Sequence, residues 1–226
     1  MGVASQTATT TFNKLKRPLP MVDGIIPTEL FPLRREVLDA NKVKLDALKT
    51  ELQTYESRDA GNAKHEHRQM LLTSMVAQET LEIKVGAQVM LIKNMDENLV
   101  NGSVGRVLGF YLVSEVWGLD GEITPKGGNG FIKKVLLKDD GVTPAERKVV
   151  EDDDSGVKPK SKNSSRESSE KFPLVEFRTP SGKEVVLVAR DEFKVEDNDG
   201  TVAARRVQVS STSMSSGFFT TGSRSR

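Results

Sequence analysis

The sequence predicts an α+β chain: a helical N-terminal segment, then a small β-barrel, with a disordered insert and a disordered tail. Three observations predict it. Apolar residues recur at helical spacing after Pro32. Several short apolar runs, set apart by glycines and turn residues, fill the stretch from Leu81 to Val209. The apolar share of the 226 residues is only 36%, with a mean hydropathy of −0.40, so a modest core must coexist with stretches that build none.

Residues 1–13 are Ser/Thr-rich and read as a disordered N-terminus. Prolines at 18, 20, 27 and 32 keep the next part extended, and Ile25-Ile26 or Leu30-Phe31 is a candidate buried strand. Pro32 suits the first turn of a helix, and Val37, Leu38, Asn41, Leu45 and Leu48 follow at helical spacing. Glu36 and Asp39 come early, Lys42, Lys44 and Lys49 late, which complements the helix dipole. The helix is expected over 33–50 as an amphipathic packing element. LQTYESRDAGNAKHEHRQ reads as a short extended piece and a loop, and a second helix is expected over 64–76.

The strands follow. LEIKV (81–85) and AQVMLIKN (87–94) are broken at Gly86, and GSVGRVLGFYLVSEV (102–116) reads as one long strand bent at its glycines. Val89 and Leu91 share one face and Met90 and Ile92 the other, so both faces want cover, as in a barrel or sandwich. FIKKVLLKD (131–139), FPLVEFRT (172–179), VVLVARDEFKVE (185–196) and AARRVQV (203–209) supply further strands. Residues 140–171, charged, Ser-rich and nearly free of apolar side chains, read as a disordered insert. Its basic patch, Lys158, Lys160 and Lys162, reads as solvated linker ahead of a nuclear-localisation signal. The tail, 210–226, reads as disordered.

Much chemistry is excluded. The chain has no cysteine, hence no disulfide and no thiolate ligand or nucleophile. Its only histidines, His65 and His67, point to different helix faces and read as solvated surface groups, so no metal site is expected. No GxxxxGK[ST] phosphate loop occurs. GGNG at 127–130 precedes a strand, and the glycines of GSVGRVLG lie within strands, where they permit bulges. No run approaches the roughly 18 apolar residues of a membrane span, so a soluble, intracellular chain without a membrane partner is expected. The net charge of +1 announces no nucleic acid, which leaves only local patches to do so.

Two blocks, PTELFPLRREVLDANKVKL and EIKVGAQVMLIKN…LVNGSVGRVLGF, together resemble the C-terminal half of the petite-integration-frequency (Pif) family of 5′-to-3′ DNA helicases. The first resembles helicase motif IV and its following helix in the second RecA-like domain; the second resembles the start of the inserted SH3-like 2B domain. FPLVEF, EVVLVARDEFKVE and ARRVQV resemble the exit from that insertion. The resemblance covers residues 14–209 outside the insert. It implies a partial RecA-like segment at 14–80 and an SH3-like 2B domain at 81–209. The family's phosphate-loop and magnesium-binding motifs do not precede these blocks, and the match stops at Val209. A fragment is therefore expected, with no catalytic residue and no cofactor in this chain, ATP and Mg belonging to the full-length family. The expected setting is genome maintenance (repair, recombination, telomere maintenance) in the nucleus, with the mitochondrion as the alternative compartment.

In helicases of this group the 2B domain helps wall the single-strand channel, which implies single-stranded DNA and the missing RecA-like domains as partners. Single strands are held by cations along the backbone and by aromatics under the bases. The candidate DNA-binding set is Arg34, Arg35, Lys84, Lys93, Asn94, Asn101, Gly102, Arg106, Arg205 and Arg206, with Phe110, Tyr111 and Trp117 as candidate stackers. The plain reading stands beside it: aromatics in the core, cations as ordinary surface, Arg34 and Arg35 bridged to Glu36 or Asp39. Asn101-Gly102 favours a turn with positive φ, so the loop 94–102 is expected to project from a rigid base. A stand-alone SH3-like module binding protein or RNA is the competing function.

Overall fold

A computed structural model describes residues 5–17, 20, 21, 25–27, 29, 31–116, 131, 132, 135, 137–145 and 170–213. Three helices, α1 (Gln6–Leu15), α2 (Arg34–Ala47) and α3 (His65–Ser74), accompany eleven strands among these residues. The expected helices at 33–50 and 64–76 are α2 and α3. Leu45 and Leu72 are their buried anchors, the first set by the apolar spacing read above.

Strands β1 (Leu52–Glu56) and β3 (Thr80–Lys84) form one antiparallel pair. A second sheet runs β2 (Arg58–Ala60), β10 (Val202–Val209), β9 (Arg190–Glu196). The third has six strands in the order β11 (Ser211–Ser213), β4 (Gln88–Leu91), β5 (Val104–Tyr111), β7 (Phe172–Thr179), β8 (Gly182–Val188), β6 (Phe131–Ile132). The α+β character expected from sequence is present. The barrel does not close: among the described residues no ladder joins β6 to β11, and three sheets wrap one core instead.

That core draws Tyr55, Leu81, Ile83, Val89, Leu91, Leu99, Val107, Leu174, Val175, Phe177 and Leu187 from all sides. Strand β4 is buried on both faces, as its apolar run required. Val89 and Leu91 join the main core, while Met90 and Ile92 pack on Ala77 and Phe193.

Four sequence expectations are corrected. The N-terminal stretch is helical: the Ser5 hydroxyl caps α1 by accepting from the Ala8 amide, and Thr9, Thr10 and Thr11 donate back to the carbonyls of Ser5, Gln6 and Thr7. Those bonds satisfy hydroxyls that otherwise compete with a helix. The run 185–196 is two strands, β8 and β9, which part at Ala189 and enter different sheets. The long strand 102–116 ends at Tyr111 and turns into a short 3-10 helix, Val113–Glu115. The tail does not begin at 210: Ser211–Ser213 pairs along β4, and Ser210 and Ser211 are buried. Most of the expected insert lies outside the described residues, yet both its ends are ordered. Asp140 accepts from the Val142 and Thr143 amides, and Glu170 is ion-paired to Arg190 at 2.7 Å.

The Ile25-Ile26 doublet forms a single β-bridge position at Ile25 rather than a strand. The Ile26 amide donates to Gln88 Oε1 at 2.9 Å, and Gln88 Nε2 donates to the Ile26 carbonyl at 3.1 Å. A side-chain amide thus stands in for one rung of a ladder and ties the proline-rich segment to β4.

Candidate nucleic-acid interface

The loop between β4 and β5 builds itself. Asp96 Oδ1 accepts from the amides of Asn98 and Leu99 at 2.9 and 2.8 Å, and the Met95 amide donates to the Leu99 carbonyl at 2.8 Å. Leu99 is fully buried beneath them. Asn94 Oδ1 accepts from the Asn101 amide at 2.8 Å, which brings these two candidates together. Gly102 turns the chain at φ 98°, a conformation other residues resist, and its amide donates to the Leu91 carbonyl at 2.9 Å. The loop is a rigid knob, and Asn94 and Asn101 act first as its braces.

The candidate cations divide by what they touch. Lys93 is turned away from the loop tip. Its Nζ pairs with the buried Asp191 at 2.9 Å, donates to the Glu192 carbonyl at 3.1 Å and lies 5.7 Å from the Phe193 ring centre. Lys84 donates to the Leu48 carbonyl at 3.0 Å, which pins the end of α2 to β3. Arg206 is buried. Its Nε and Nη2 grip Asp59 at 2.8 and 2.6 Å, and its Nη1 donates to the carbonyls of Ala77 and Leu72 at 2.8 and 3.3 Å. That hydrogen bond, against the cost of burial, holds the Asp59 carboxyl below its ordinary pKa and raises that of the guanidinium. Arg206 is therefore a buried joint of the fold, while Lys84 and Lys93 are half-buried and tied to it.

Arg35, Arg106 and Arg205 remain outward. Arg35 makes only a 4.0 Å contact with Asp39, both largely exposed, as the plain reading had it. Arg34 begins α2, and its side chain lies outside the described residues, as does the whole of Trp117. Arg106 is exposed on β5 opposite Glu176, whose carboxylate is taken by Lys183 at 3.0 Å. Arg205 stands across from Lys194 on β9, and the two cations share Glu192 at 2.9 and 2.8 Å. Lys194 first and Arg205 second hold the Glu192 carboxyl below its usual range. Beside them lies a cleft of about 240 Å³ bordered by Gly61 and Asn62. Phe110 and Tyr111 are half-buried at the far end of β5, beside a second cleft.

Sequence reasoning missed the residues that assemble this surface. Arg190 donates to Glu170, to the Glu56 carbonyl at 2.7 Å and to the Val207 carbonyl at 3.4 Å. Gln208 Nε2 donates to the carbonyls of Tyr55, Gln78 and Glu79 at 2.9, 3.1 and 3.1 Å. The one available signal was a polar residue inside an otherwise apolar strand pattern. Among the described residues no group of acidic or histidine side chains is placed to hold a metal.

Residues 66–110, which run from α3 into β5, match the family model described as the DNA helicase Pif1 2B domain. The ATP-dependent DNA helicase PIF1 of Candida albicans is 34% identical over 228 aligned residues, covering 87% of this chain and 25% of that protein. PIF1 of Emericella nidulans is 34% identical over 215, covering 92% of this chain and 27% of its own. The ATP-dependent DNA helicase RRM3 of Saccharomyces cerevisiae is 41% identical over 107, or 47% of this chain and 14% of the relative. The crystal structure of Pif1 helicase from Candida albicans superposes with a TM-score of 0.64 at 30% identity, over 96% of this chain and 41% of that one. The chain thus spans about a quarter of the length of the curated relatives it matches. With the 2B-domain match seated on α3, β3, β4 and β5, and a third of its residues shared with fungal relatives across most of its length, the chain belongs to the Pif1 family.

Proposed function

We propose that this chain is the 2B-containing part of an ATP-dependent 5′-to-3′ DNA helicase of genome maintenance, and that its own activity is to hold single-stranded DNA. The observation that carries the reading is the family's 2B match falling on a unit that braces itself. The knob 93–103 keeps its shape through its own side chains, while Arg106 and Arg205 stay outward beside it and on the neighbouring sheet. Cations on a preformed surface suit a strand that is tracked along its backbone rather than read by sequence.

In this reading residues 81–209 are an SH3-like 2B domain and 14–80 part of a RecA-like domain. ATP, Mg and unwinding belong to a complete family member that works in the nucleus. This sequence carries no phosphate loop, so ATP hydrolysis is assigned to the complete family member.

The test is fluorescence anisotropy of a labelled oligothymidine and of a matched duplex with the full chain. The single strand is expected to bind more tightly than the duplex. With three phosphates contacted, its affinity falls roughly twentyfold between about 50 and about 200 mM salt. No single-strand binding at the lower salt, or a preference for duplex, overturns the reading in favour of a protein-interaction module.

A further inference from the structure

Strand β5 changes character at its end. Its pairing with β7 slips between Val107 and Gly109, which leaves Leu108 as an extra residue; beyond it Phe110 faces Pro173 and Tyr111 faces Phe172. Such a bulge re-aims the side chains that follow it. The Tyr111 ring lies back over Gly109: a Cβ there would sit 2.7 Å from Tyr111 Cε2 and 3.1 Å from its hydroxyl. Beneath, Phe172 is buried and stacked on Tyr55 at 6.4 Å, with the rings 8° from parallel. The two aromatics therefore rest on a rigid base.

They line a cleft of about 250 Å³ whose other walls are Glu115, Pro144, Thr143 and the lysines at 138 and 171. That falls below the ~300–1,000 Å³ of pockets for drug-sized ligands and suits one planar ring system. Both lysines are positioned through the backbone: the Lys138 amide donates to the Thr143 carbonyl at 2.8 Å, and the Lys171 carbonyl accepts from the Tyr55 hydroxyl at 2.9 Å. Two carboxylates at the cleft also accept from backbone amides. Glu115 accepts from the Leu112 amide at 2.8 Å, and Asp140 from the Val142 and Thr143 amides. Burial, then Asp140 and Glu115, push the Tyr111 hydroxyl up, so it stays a protonated donor.

We infer that the Tyr111 ring is a stacking platform for one unstacked base of single-stranded DNA, in the cleft that Phe110 also lines, with the flanking phosphates meeting Lys138 and Lys171. This rests on the single-strand reading above and names a subsite within it. The outward cations at Arg205 and Lys194 form a separate surface.

Photocrosslinking of an oligothymidine carrying 5-iodouracil to the full chain, mapped by mass spectrometry, is the test. Cross-links are expected on Phe110 or Tyr111. Tyr111→Leu weakens single-strand binding about tenfold while Tyr111→Phe binds like the parent chain. Lys171→Gln makes the salt slope shallower by about 0.7. Cross-links confined to the Arg205 and Lys194 surface, with Tyr111→Leu binding unchanged, overturn the cleft and leave the single-strand reading standing. Absence of binding by the parent chain overturns both. Mapping on the parent chain keeps the test decisive even where a variant folds poorly.

Discussion

Arg206 lies 4% exposed, with its guanidinium between Asp59 and the carbonyls of Leu72 and Ala77, whereas Arg205 faces outward to Glu192. Adjacent strand residues take opposite faces, so one of any Arg-Arg pair in a half-buried strand must turn inward. Nothing within AARRVQV says which, because the choice is made by Asp59 on β2, far away in sequence. That is why Arg206 reads from sequence as a DNA contact and is a joint of the fold. Arg206→Ala strands two carbonyls and a carboxylate, and urea melts are expected to show a loss of about 2–4 kcal/mol. The pair also has a pH signature. The Asp59 carboxyl is held below its ordinary value of 3.8, so its contribution is fully present above that value and lost as pH falls through the lower folded one. Asp59→Asn is therefore expected to flatten the fall of stability below about pH 4, measured as urea midpoint against pH.

At the scale of elements, α2, α3, β3, β4, β5, β7 and β10 were legible because period and length agree: helical spacing after Pro32, apolar runs bounded by glycines elsewhere. Helix α1 was not, because threonine is a poor helix former until its hydroxyls find the carbonyls one turn back. Strand β11 was not, because Ser211–Ser213 has no apolar pattern and owes its place to the edge of β4. The β4–β5 loop shows what an element gains from local bonds. Asp96→Ala removes acceptors from two amides, and amide exchange over 94–102 is expected to quicken by roughly one to two powers of ten. The β7–β8 amides, which share no bond with Asp96, keep their protection. Equal loss in both places would mean that the loop is not separately braced.

Across the whole molecule, no ladder joins the three sheets among the described residues, yet they enclose one core. Side chains and isolated backbone bonds make the joins: Gln208 reaches β1 through the Tyr55 carbonyl, Arg190 carries β9 to the Glu56 carbonyl and to Glu170, and the Ile92 amide donates to the Ser210 carbonyl. Neither Gln208 nor Arg190 was legible, since a long-range clamp leaves no periodic trace. Gln208→Leu keeps the volume but removes donors from three carbonyls, and chemical denaturation is expected to show a loss of about 2–4 kcal/mol. The end of β5 and the start of β7 face each other at Tyr111 and Phe172, although the chain between them is long. Two ends stitched side by side lower the cost of chain added between them, because each doubling of a flexible loop adds only about 0.6 kcal/mol of closure entropy. That span is itself anchored, with Val116 and Val135 buried in the core and β6 paired to β8, so added sequence spares the fold only away from those anchors. Because the span leaves and returns at the paired Tyr111 and Phe172, this suture sets the corner of the fold that carries the proposed base site.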